Sequence, residues 1–142
     1  MGRDFAEEDV DFGPDVEDET MASNGWMPDK LLEGGAITEA QYAGAVRYLE
    51  DYQQGVDGAG KGIRPGHKMA GAGQIKTKRQ AAESYRDAFH AAGSDVTGAL
   101  SWCVLGRGTV YGLAECKGWN PQRALTEVIK GLDKLVVHYE RT

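Results

Sequence analysis

The chain has 142 residues, 41% of them hydrophobic, which gives room for one compact domain with a modest core and none for two of ordinary size. Two cysteines, Cys103 and Cys116, exclude a disulfide framework and a four-ligand zinc site, and no apolar run approaches the roughly 18 residues of a membrane span. The formal charge of −6 would argue against a polyanionic partner if it were evenly spread, and it is not.

Residues 1–20 hold nine acids (Asp4, Glu7, Glu8, Asp9, Asp11, Asp15, Glu17, Asp18 and Glu19) against Arg3, whereas thirteen Lys and Arg face seven Asp and Glu from Lys61 onward. The pattern is an acidic tail joined to a basic body. Residues 1–25 are poor in branched apolar side chains and carry Pro14, so they bury too little surface to offset ordering entropy. They are expected to form a disordered tail that is solubilising, a contact for a basic partner, or a competitor of DNA for the basic face, with the helical domain in residues 26–142. No basic stretch followed by an apolar run opens the chain, which predicts a cytoplasmic protein without membrane contact.

Pro28 can open a short helical turn that Gly34 and Gly35 end. Thr38, with Gln41 three residues on, then caps a longer helix whose stripe is Tyr42, Val46, Leu49, Tyr52 and Val56. Residues 55–73 contain seven glycines and Pro65 among Lys61, Arg64, His67 and Lys68, which predicts a flexible basic loop. The next helix is expected from about Ile75 to Ala92, with Ala81, Tyr85, Ala88 and Phe89 inward. Its first turn is basic (Lys76, Lys78, Arg79) and opposes the helix dipole, so those charges are expected to meet an anion. Ser94 is expected to cap a third long helix with Val96, Ala99, Leu100, Cys103 and Val104 on one face. A short helix from Val110 to Lys117 follows, capped by Thr109 and stopped by Gly118. Asn120-Pro121 opens the last, with Leu125, Val128, Ile129, Leu132, Leu135, Val136 and Tyr139 at helical spacing. Gly131 within it costs about 1 kcal/mol relative to Ala. Trp102 and Trp119 are expected in the core, and Trp26 is expected to pin the end of the tail. The fold class is therefore all-α, about five helices, ending in a helix-turn-helix.

The last two helices, joined at a glycine turn with a small residue at Ala114, carry the functional reading. Gly118 can take the positive φ of the turn, and Trp119 is placed to plug the corner. If the second of the pair lies in a major groove, its outward residues Asn120, Gln122, Arg123, Thr126, Glu127 and Lys130 face the bases. Arg can pair bidentately with guanine, and Asn or Gln with adenine. Arg107, Thr109, Tyr111 and Lys117 are candidates for phosphate contacts around it.

The stretches LLEGGAITEAQYAGAVRYLEDYQ, YRDAFHAAGSDVTGALSWCVLGRGTVYGLAECKGWN and ALTEVIKGLDKLVVHYE carry a resemblance. Separated by a glycine-rich middle, they resemble an alphaproteobacterial helix-turn-helix family that forms the N-terminal domain of the gene transfer agent activator. The closing helix pair is also similar to the DNA-reading region 4 of sigma factors. The resemblance implies binding to double-stranded DNA and a role in transcription. With no room for a second domain after the helix pair, the chain is expected to be a phage or mobile-element relative that keeps only the DNA-binding module.

Other chemistry finds less support. Gly55 to Gly62 has the glycines and lysine of a phosphate-binding loop but follows a helix and lacks the Ser or Thr for magnesium. His67, His90 and His138 have no metal-ligand neighbour at helical spacing, and neither Ser94, Ser101 nor the cysteines pair with a base. The expectation is a non-enzyme without metal or cofactor. Two alternatives to a transcription regulator stand beside it. One is a DNA-packaging subunit of the phage small-terminase kind, working as a homo-oligomeric ring. The other is an adaptor that binds RNA polymerase through the tail or an apolar face.

Overall fold

A computed structural model describes residues 26–56, 63–67 and 76–141. All regular structure among them is helical: α1 (Met27–Glu33), α2 (Glu39–Gly55), α3 (Lys78–Ala92), α4 (Ser94–Cys103), α5 (Val110–Lys117) and α6 (Pro121–Arg141). The expected all-α class is what the described residues adopt. The acidic segment, the phosphate-loop-like glycines of residues 57–62 and most of the basic loop lie outside the described residues.

The helix starts follow from local chemistry. Thr38 and Gln41 form a reciprocal capping box: the Thr38 hydroxyl accepts the Gln41 amide at 3.1 Å, and the Thr38 amide donates to Gln41 Oε1 at 2.8 Å. The same device recurs at Thr77 and Gln80, so α3 begins at Lys78 rather than near Ile75. Ser94 is the first residue of α4, not its cap. Gly93, at φ +89°, ends α3 and precedes α4, and its conformation sets the corner between them.

The core is organised around α6, which packs against α2, α3, α4 and α5. Its buried face is Ala124, Leu125, Val128, Gly131, Leu132, Leu135 and Tyr139. Opposite it stand Tyr42, Ala45, Val46, Tyr48 and Leu49 of α2, and Val96, Ala99, Leu100 and Cys103 of α4. Gly131 lies where α4 crosses: a Cβ there would sit 2.8 Å from the Leu100 side chain. The helix-propensity cost of that glycine is offset by a closer approach of the two helices.

Two buried carboxylates tie the elements together. Asp51 of α2 is fully buried and accepts from Lys76 Nζ, from the Ser84 hydroxyl on α3 and, at 3.4 Å, from the Tyr139 hydroxyl on α6. Lys76 therefore does meet an anion, and it is one of the chain's own. Asp29 of α1 accepts from the Tyr42 hydroxyl and, at 3.0 Å to each oxygen, from the Gly66 amide, which fastens residues 63–67 onto α1 and α2. Burial, reinforced by these carboxylates, holds the Tyr42 and Tyr139 phenols well above the ordinary tyrosine range.

Trp26 is buried against this frame. Its indole N–H donates to the Val104 carbonyl at 2.8 Å and its ring meets Tyr42 edge-on at 5.7 Å. The adjoining Met27 sulfur accepts the Val110 amide at 3.3 Å. The start of the described chain is thereby fixed against the connection between α4 and α5.

Candidate nucleic-acid interface

The α5–α6 corner is built by a Schellman turn. Gly118 adopts the left-handed conformation at φ +73°, the Trp119 amide donates to the Ala114 carbonyl at 2.8 Å, and the Gly118 amide reaches Glu115 at 3.4 Å. Asn120 then caps α6, its Oδ1 accepting the Arg123 amide at 2.8 Å. Val110, Leu113 and Ala114 face inward from α5, and Ala124, Leu125 and Val128 from the start of α6.

The opposite side of α6 is open. At 100° per residue, Gln122, Arg123, Thr126 and Lys130 fall within a strip roughly 100° wide, across the helix from its buried face. All four are exposed, as are Asn120 and Lys117. Arg107 is exposed in the α4–α5 connection, and Tyr111 is half-buried on α5. The fold thus brings Gln122, Arg123, Thr126 and Lys130 together on one surface, with Lys117 at the corner beside them.

Several of these polar groups already serve the fold. The Thr109 hydroxyl accepts the Gly112 amide at 2.9 Å, which caps α5. The Thr126 hydroxyl donates back to the Gln122 carbonyl at 2.9 Å, and Lys130 pairs with Glu127 at 3.4 Å. Arg123 lies over the half-buried Trp119 ring, its guanidinium carbon 4.6 Å from the centroid, with Lys117 at 6.0 Å. Stacking uses the face of the guanidinium and leaves its N–H edges in the plane from which bidentate donation occurs. Residues 107–130 hold four cations (Arg107, Lys117, Arg123 and Lys130) against two acids, Glu115 and Glu127.

Trp102 departs from expectation. It is 38% exposed rather than in the core, and its indole N–H donates to the Thr109 carbonyl at 3.0 Å. The buried stripe of α4 runs through Val96, Ala99, Leu100 and Cys103. Position 102 lies roughly 110° from the middle of that stripe, so the helical phase itself turns the ring away from the core. The ring instead covers Gly108, where a Cβ would sit 2.2 Å from it, and so fixes the start of α5. Trp102 and Trp119 therefore frame the two ends of α5. Helical phase signals the first role, and nothing in spacing alone signals the Arg123 stack.

The described residues form a small all-α domain with an exposed helix pair at one corner. No helix among them is long and apolar enough to cross a membrane. No protein-family model, curated protein or solved structure matches the chain.

Proposed function

We propose that the chain is a DNA-binding transcription regulator in which α6 reads the major groove and α5 with its flanking residues holds the phosphates. The observation that carries this reading is the solvent-facing strip of Gln122, Arg123, Thr126 and Lys130 on a capped helix that follows a left-handed glycine corner. The strip contains guanidinium, amide and ammonium donors, the groups suited to base edges and phosphates. The excess of cations over acids along residues 107–130 supports attraction to a polyanion in a chain whose total charge is negative. The resemblance to the helix-turn-helix domain of the gene transfer agent activator points the same way. On this reading the protein works in the cytoplasm on double-stranded DNA, beside RNA polymerase.

The test is binding of the full chain to genomic fragments, compared with Arg123→Ala and Lys130→Ala. Loss of a bidentate base contact at Arg123 costs about 1–3 kcal/mol and relaxes specificity at one base. Loss of a phosphate contact at Lys130 weakens all sequences alike and lowers the slope of log affinity against log salt by about 1. Unchanged affinity in both variants removes α6 as the reading helix.

A further inference from the structure

The acid-rich segment and the candidate DNA surface are joined at a specific place. Trp26 and Met27 are held to Val104 and Val110, so the described chain begins beside the first turn of α5. That turn lies between Arg107 and the α5–α6 corner. The eight residues of α5 span about 12 Å, so the first turn of α6 is one short helix away. The cluster Asp15, Glu17, Asp18 and Glu19 is seven to eleven residues before Trp26. At about 3.3–3.6 Å per residue, Glu19 can lie up to about 25 Å from that root, which spans all of α5 and the start of α6.

We propose that the N-terminal acidic segment of this chain is the resting occupant of its own α5–α6 surface, pairing its carboxylates with Lys117, Arg123 and Lys130 and competing there with outside polyanions. Residues 1–20 carry nine acids against one cation, while residues 107–130 carry four cations against two acids, so the signs are complementary. Tethering turns the encounter into an intramolecular one, at an effective concentration near the millimolar range for a short connection. Weak pairing of carboxylates with these cations is then enough for occupancy, and it stays weak enough for DNA, with its far higher charge density, to displace it. The functional consequence, a lowered affinity for non-specific duplex at low salt, rests on the DNA-binding reading of the same surface. The contact itself does not.

The chain carries its own reporter position. Cys116 is exposed on α5 and Cys103 is buried, so a paramagnetic label on the native, full-length protein goes to Cys116 alone. Amide signals of residues 4–19 are expected to broaden at low salt without any DNA present. They are expected to recover at about 1 M salt, where the Debye length falls to about 3 Å. They should also recover in the charge-reversed variant Arg123→Glu/Lys130→Glu. Absence of broadening, or broadening that survives both the salt and the charge reversal, overturns the proposal. So does equal broadening in a mixture of spin-labelled chains with isotope-labelled, unlabelled-cysteine chains, because the contact is then between copies. Adding duplex DNA tests the other reading separately. If the segment is bound but DNA neither binds nor releases it, the DNA-binding reading falls while the intramolecular contact stands.

Discussion

Asp51 has no exposed surface, and its partners come from α3, α6 and the residues just before α3. Lys76 supplies the compensating charge and is itself only 23% exposed. Removing it leaves a buried carboxylate with hydroxyl donors only, so Lys76→Met should cost about 3 kcal/mol in urea unfolding. In a cycle with Asp51→Asn the two losses should be clearly less than additive, and additive losses would mean the pair is not coupled. The buried tyrosines set a second expectation. Burial raises the phenols of Tyr42, Tyr48, Tyr85 and Tyr139 in the folded chain above the value of about 10 that they take when unfolded. A raised folded value contributes stability that is intact below pH about 10 and is lost as pH climbs beyond it. Ultraviolet titration should therefore show these four ionising together with alkaline unfolding. Separate ionisation in a folded chain would contradict their burial. Burial likewise pushes the Cys103 thiol up to about 12, so thiol reagents should modify Cys116 and spare Cys103 until the chain unfolds.

Among the elements, the α4–α6 crossing is the most demanding contact. Gly131→Ala improves helix propensity by about 1 kcal/mol but forces a methyl to within 2.8 Å of Leu100. Overpacking of this kind costs about 1–3 kcal/mol, so a net loss of thermal stability is expected, and a gain would show that α4 can retreat freely. Most helix boundaries were legible, because Thr38 with Gln41, Thr109 with Gly118, and Asn120 with Pro121 are local signals satisfied within one turn. The start of α3 at Lys78 is the exception, although Thr77 and Gln80 carry the same signal as Thr38 and Gln41. The partner of Lys76 was not legible at all. Asp51 is 25 positions away, and only the packing of α2 on α3 brings them together. Of the candidate interface, the outward strip on α6 could be read from phase. The commitment of the Thr126 hydroxyl to a backbone partner could not, because a hydroxyl's choice between backbone and solvent depends on its rotamer.

For the molecule as a whole, the distribution of charge matters more than its sum. A chain of net −6 can attract a polyanion only if its cations are gathered on one surface and its acids are held elsewhere or displaced. The α5–α6 corner gathers three of them, with Lys117 exposed beside the glycine turn and Arg123 and Lys130 exposed along the outer face of α6. On the proposed reading, affinity for duplex DNA should fall steeply between about 50 mM and about 200 mM salt, and a flat response would place the binding energy outside phosphate contacts. The most direct measurement is amide shift mapping of the isotope-labelled full chain during titration with a duplex of about 20 base pairs, two helical turns. Changes are expected along residues 107–130, strongest from Lys117 to Lys130. Changes centred on α2 and α3 instead, or none at a duplex excess, would contradict the assignment of α6 to the groove.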